Sequence, residues 1–328
     1  NDYMEITYNR YGVKKTELLV DGKTVFKSNV NRIPYERTVQ VNAWGDHEHF
    51  LRYNVWYMHS FLYPGMGLQM LSADKDKGIV NFNQERDYHL EYVLTDFKGN
   101  TSRYTFTVTG KRRTFAPKQP ANTLRSVYWN RPFVLQTDGV QLLIKPNSVA
   151  YAVALTPKIS CKDNALSSYC TFTNNAERLF HPARISLKLT RTVKDTSKLY
   201  ISGRGYNTRY FGGTYEKGWV SANMRDLHLQ YSIEYDDEPP VVSPVGQGNW
   251  NATKIIKLGL EDEKSGVNTY EGYIDGQFVL FEDVPLSPWV ACKLTETPLK
   301  RTGKQRHLTF FATDNQGNKR RFETNILY

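Results

Sequence analysis

No uninterrupted apolar run in this chain approaches the roughly 20 residues that a helix needs to cross a bilayer. The chain therefore reads as not membrane-spanning, and no secretory signal opens it. Cysteine is scarce, with three in 328 residues, and the three decide little. Cys161 and Cys170 flank Ser167-Ser168 at a spacing that a hairpin disulfide could bridge in an oxidising compartment, and two free thiols fit the same spacing. Cys292 has no partner left and reads as a small buried apolar residue.

The motifs of catalysis are missing as well. There is no Gly-x-Ser-x-Gly elbow, and neither a Walker loop nor a dinucleotide glycine motif occurs. Gly203-Arg204-Gly205 and Gly212-Gly213 read as loop glycines between strands rather than phosphate cradles. His47-x-His49 is a spacing that can ligate zinc from a strand, but a catalytic zinc needs a third protein ligand. The other histidines, His59, His89, His181, His228 and His307, form no His-x-x-x-Asp arrangement. The expectation is no catalytic residue, no metal ligand and no bound cofactor in this chain.

Aromatic and β-branched residues are plentiful. The hydrophobic share is 40%, with 22 Tyr, 16 Phe and 6 Trp, enough for real cores and biased toward sheet. The formal charge is +10, yet the basic residues scatter apart from 111–113, Lys300-Arg301 with Lys304 and Arg306, and 319–321. Two readings remain open for them, a solvated face or weak attraction to an anionic polymer. Nucleic acid is not expected, because no helix-turn-helix, RNA-binding sheet motif or zinc finger accompanies the charge.

A repeat organises the rest. Gly12-Val13 followed by Leu18 to Phe26 matches Gly266-Val267 followed by Gly272 to Phe281, with Asp21-Gly22 opposite Asp275-Gly276. The match resumes as His89-Leu90-Glu91-Tyr92 to Asp96-x-x-Gly99-Asn100 against His307-Leu308-Thr309-Phe310 to Asp314-x-x-Gly317-Asn318. Asp-Gly between apolar runs supplies the two positive φ angles of a type I′ hairpin. The Asp-x-x-Gly-Asn segments fit a longer turn in which the Asp caps local amides. Calcium is a second reading of acidic turns, but neither turn alone supplies the oxygens of an EF-type loop.

Punctuation between the copies sets the boundaries. A basic, proline-bearing linker at 113–123 follows a first domain at 1–112. Strand-like segments at 139–144, 149–155, 184–189, 199–201 and 229–235 build a second domain at 124–237. Asp236-Asp237-Glu238-Pro239-Pro240 then breaks the pattern as a short, stiff, solvated joint before a third domain at 238–328. The fold class is all-β, three tandem antiparallel β-sandwiches. Only 11 residues precede Gly12, whereas 26 positions separate Pro240 from Gly266. The first sandwich is therefore expected to lack its opening strand, with native chain continuing upstream.

One stretch of the first domain has no counterpart in the third. It runs from Asn42 through Trp44, His47, His49, Trp56 and Tyr57 to Tyr63-Pro64-Gly65, and could hold a short helix ended by Pro64-Gly65. Its aromatics either pack on the sheet or form a binding surface, since aromatic anchors dominate recognition. Trp44, Trp56, Tyr57 and Tyr63 are the candidate ligand residues.

The run from Tyr11 to Gly110 resembles the region that follows the catalytic domain in lysostaphin-like zinc peptidoglycan endopeptidases of the Bacteroidetes type. The matching pieces are Gly12-Val13, Val20-Asp21-Gly22, Pro64-Gly65, Gly78 to Phe82 and Asp96-x-x-Gly99-Asn100. The later pieces Asp237 to Pro240, Ser265-Gly266-Val267, Ile274-Asp275-Gly276 and Asp314 to Asn318 resemble the terminal Ig-like module of the same proteins. The resemblance implies Ig-like first and third sandwiches and a non-catalytic accessory region of a secreted or periplasmic cell-envelope enzyme. It also implies peptidoglycan or an anionic envelope polymer as partner, and zinc only in a catalytic domain outside this chain. That family's zinc site needs His-x-x-x-Asp ahead of His-x-His; the first element is absent here, so no catalytic residue carries over. A stand-alone surface protein binding glycan or another protein is the alternative.

Overall fold

A computed structural model describes residues 2–3, 10–114, 126–173 and 178–328. The protein is all-β, and every strand pairing among the described residues is antiparallel.

The third module is a sandwich of two four-stranded sheets. One runs Val241–Pro244, Ile255–Glu261, Trp289–Lys293, Glu282–Asp283 in spatial order; the other runs Gln277–Val279, Val267–Ile274, Gln305–Asp314, Lys319–Leu327. Alternation fixes the inward faces. Leu308, Phe310 and Ala312 from one sheet meet Ile256, Leu258 and Cys292 from the other, all buried.

The first module carries the same sheet in the same order. Lys23–Asn29, Lys15–Val20, Asp87–Thr95 and Thr101–Thr109 stand where Gln277–Val279, Val267–Ile274, Gln305–Asp314 and Lys319–Leu327 stand in the third, with Leu71–Ala73 added at the edge. Both Asp-Gly turns have two positive φ angles: 48° and 76° at Asp21-Gly22, 50° and 81° at Asp275-Gly276. Each Asp does more than turn the chain. Asp21 Oδ1 accepts from the His89 amide at 3.0 Å, and Asp275 Oδ1 from the His307 amide at 2.8 Å. Arg86 and Arg306 then pair with the second oxygens, at 2.8 and 3.0 Å. A hairpin tip is thus latched to the next strand in both copies, and these contacts hold both carboxyls below their usual range.

Beside its five-stranded sheet the first module has only a short two-stranded pairing, Asp2–Tyr3 with Arg10–Tyr11, among the described residues. The inner face of the larger sheet, Leu18, Phe26, Tyr88 and Leu90, is covered by Trp44, Leu68 and Met70. The covering segment is tied down by Gln40 Oε1, which accepts from the Gly67 amide at 2.9 Å, and by Arg37, whose guanidinium donates to the Gly67 carbonyl.

The middle module is a sandwich of two five-stranded sheets. Ile185 and Leu187 alternate inward on the long strand Arg178–Lys188 and meet Ile201, Tyr231 and Ile233 from the facing sheet. The strand expected over 149–155 shortens to Val153–Ala154. Cys170 and Cys161 are both free: Cys170 is buried in this core, its thiol pushed up to about 12 by desolvation. Cys161 is exposed and its Sγ lies 3.3 Å from Ser168 Oγ, so the hairpin does not form the disulfide that its spacing permitted. Cys292 is buried in the third core.

The joint from Asp236 to Pro240 differs from the solvated linker that its acids suggested. Asp236 is 0% exposed, its carbonyl accepting from Asn318 Nδ2 at 3.0 Å and its carboxylate from the Ser265 amide at 3.3 Å. Further bonds cross between the modules: Lys198 Nζ donates to the Gln316 carbonyl at 2.8 Å, and Tyr210 OH to the Asn315 carbonyl at 3.2 Å. The acid of the joint is recruited into the contact because the third module presents amides there, and amides satisfy a buried carboxylate.

Candidate aromatic binding surface

The unrepeated stretch folds as a closed excursion. Gly45 and Met58 pair across its neck, the Asp46 amide donates to the Tyr57 carbonyl at 2.7 Å, and the His59 amide donates to the Trp44 carbonyl at 2.8 Å. Within it, His47–Tyr53 is a short helix. Asp46 caps its start by accepting from the His49 amide at 2.9 Å, and Asn54 ends it in the left-handed region at φ 54°. Pro64-Gly65 does not end this helix. It lies eleven residues further on, where the Gly65 amide donates to Ala150 of the middle module at 2.8 Å. An added Cβ at Gly65 would stand 2.2 Å from the Val149 carbonyl oxygen, so this close approach needs glycine.

The four aromatic candidates separate. Trp44 is only 9% exposed, in the first module's core, with Nε1 donating to the His59 carbonyl at 3.0 Å. Tyr63 is half-buried and packs on Tyr151 of the middle module, ring centroids 4.6 Å apart. Trp56 and Tyr57 stay on the surface, 43% and 59% exposed. Tyr53, which the sequence reading passed over, joins them at 58%.

Packing beneath this surface restrains it. Trp56 stacks on Phe50 with centroids 4.3 Å apart and planes 14° from parallel, and its ring also lies against Gly45, where a Cβ would meet it at 2.5 Å. His49 sits between Tyr53 and Tyr57, at 4.6 and 4.3 Å. Exposed rings fixed in this way have little rotamer freedom left to lose on binding. Polar groups flank them: the His47 ring is 6.1 Å from Trp56, and the Arg52 guanidinium is 5.9 Å from the Tyr53 ring.

A helix rotates two successive alternate residues by about 200°, so His47 and His49 face different aromatic neighbours and do not converge as a strand pair would. Below them His59, half-buried beside Phe61 and Tyr63, is held below its usual pKa by desolvation, which the Asp46 charge partly offsets. Several residues of the basic clusters are engaged within the fold. Arg306 is committed to Asp275 and the Lys300 carbonyl, Arg320 to the Pro240 carbonyl, and Arg321 to Glu323. Among the described residues no helix is long and apolar enough to cross a membrane.

The middle module, residues 125–236, matches the Zu5-like domain family. No curated protein matches the chain in sequence. Among solved structures, the spore cortex lytic enzyme SleM of Clostridium perfringens is 16% identical over 35% of this chain and 36% of its own, with a TM-score of 0.21. The chain thus spans about a third of that enzyme's length. The central fibronectin-III array of RIM-binding protein is 10% identical over 96% of this chain and 87% of its own, TM-score 0.18. SGBP-B of the Bacteroides ovatus mixed-linkage glucan utilization locus, solved in complex with a mixed-linkage heptasaccharide, is 10% identical over 97% of this chain and 62% of its own, TM-score 0.16. At these scores the likenesses carry no argument about function.

Proposed function

We propose that the chain is a non-catalytic array that binds glycan strands of the cell envelope through Tyr53, Trp56 and Tyr57. One observation carries this reading: three rings on one unrepeated segment stay exposed while packed against neighbours, Trp56 on Phe50 and Tyr53 and Tyr57 on either side of His49. Sugar rings present flat apolar C–H faces, and a fixed indole or phenol offers the matching surface, while edge hydroxyls can pair with nearby polar groups. The scaffold beneath is built of latched hairpins and filled cores, which suits holding a ligand better than transforming one. The resemblance of the Tyr11–Gly110 region and the terminal module to peptidoglycan endopeptidases supports placing the array beside such an enzyme, as its secreted or periplasmic accessory region. Zinc chemistry would then belong to the enzyme domain and not to this array.

A glycan array probed with the whole chain tests the surface. Binding by the wild type is expected to fall sharply in Trp56→Ala and Tyr57→Ala, with both variants melting close to the wild type. Unchanged binding in both variants removes this surface from consideration. Trp44→Ala is not a control for it, because that indole belongs to the core.

A further inference from the structure

The contact between the middle and third modules gathers three carboxylates. Asp236 comes from the joint, Asp262 from the loop before Val267–Ile274, and Asp314 from the turn before Lys319–Leu327, and one oxygen of each lies within 4.8 Å of the others. Asp236 and Asp314 are fully buried and Asp262 is half-buried. Among the described residues none of the three forms an ion pair with a lysine, arginine or histidine. Lys264 is close in sequence but pairs with Glu238, and Lys198 and Arg320 are spent on carbonyls.

Ser265 adds an independent observation. It is 2% exposed, gives its amide to Asp236 Oδ2, and its carbonyl accepts from Asn315 Nδ2 at 2.8 Å, so it sits against the trio. Its hydroxyl is buried and meets no partner. Buried hydroxyls without partners are uncommon and point to a missing ligand. A proton shared among the acids would lower the repulsion but leave the hydroxyl orphaned; a cation satisfies both.

The donor set is all oxygen, with no imidazole or thiolate, which selects a hard cation. Its members come from three separate segments, a flexible arrangement that suits calcium better than the strict octahedron of magnesium. We infer that Asp236, Asp262, Asp314 and Ser265 form a calcium site that locks the third module onto the middle one.

The repeat provides an internal control. Asp96, the first-module counterpart of Asp314, accepts from the same set of turn amides but belongs to no such group among the described residues. The Gly12–Gly266 correspondence puts Tyr8 in place of Asp262 and Tyr11 in place of Ser265. Among the described residues the first module has no equivalent of this oxygen set.

The test is calorimetric titration and thermal melting of the whole chain after chelator treatment, with calcium or magnesium chloride. Calcium is expected to bind saturably, more tightly than magnesium, and to raise the melting temperature. Asp262→Asn keeps an oxygen to accept the Lys264 and Gly266 amides while losing the charge. It should bind calcium more weakly by roughly tenfold or more, since even outer-shell losses cost that much. Without calcium it should melt above the wild type, because a like charge has gone. Asp96→Asn should leave the calcium response as it is. The inference is overturned if wild type shows neither heat nor a melting shift with calcium, if magnesium binds more tightly, or if Asp262→Asn and Asp314→Asn bind calcium as the wild type does.

Discussion

His59 shows how one side chain reports on its surroundings. Desolvation among Trp44, Phe61 and Tyr63 lowers its pKa, so the folded protein holds it neutral where the unfolded chain begins to charge it. A base depressed in the folded state contributes stability that is present above its ordinary value of 6.5 and lost as pH falls through the folded value. Melting of the first module should therefore drop below that pH, and His59→Phe should flatten the drop; an unchanged slope in the variant would assign the pH dependence elsewhere. The Asp275 latch makes a second prediction. Asp275→Ala removes an acceptor for the His307 amide and the Arg306 partner, and should destabilise the third module by about 1 kcal/mol, since solvent reaches the carboxylate although the arginine is mostly covered. Chemical denaturation of wild type and variant measures it.

The elements sort by how local their signals are. Both Asp-Gly hairpins and both Asp-x-x-Gly-Asn turns were legible in the sequence because their geometry depends on residues within four positions. The alternating strand at Ile185 and Leu187 was legible for the same reason. Burial of individual aromatics was not, because it depends on which distant face a loop meets. Trp44 and Trp56 look alike in the chain, yet Trp44 bonds inward to the His59 carbonyl while Trp56 rests on Phe50 at the surface. Substitution separates them. Trp44→Ala should cost about 3–5 kcal/mol as a core deletion. Trp56→Ala should cost only about 0.5–1.5 kcal/mol, the value of one aromatic pair. Equal losses in a denaturation series would contradict the division of the segment into a buried and a presented half.

At the scale of the whole molecule, three modules repeat one idea with different second layers. The first and third share a sheet order, and the third covers it with another sheet, while the first uses the segment that bears the aromatic surface. Contacts between modules escaped the sequence reading most completely. Asp236, Asp262 and Asp314 lie 26 and 52 positions apart, and each alone reads as an ordinary turn or linker acid. The Gly65 approach to Val149 likewise joins residues more than eighty positions apart, and Gly65→Ala is expected to loosen the first module from the middle one, seen as a lower melting temperature than the wild type. The net charge of +10 belongs to this scale too, but Arg306 and Arg321 of the third module are already paired with acids, so charge supplies attraction without a defined site. Sedimentation of the whole chain with isolated peptidoglycan, across rising salt and beside Trp56→Ala, separates charge from ring contact. The account predicts a component that survives high salt in the wild type and disappears in the variant. Retention that salt abolishes equally in both, or no retention at any salt, would contradict it.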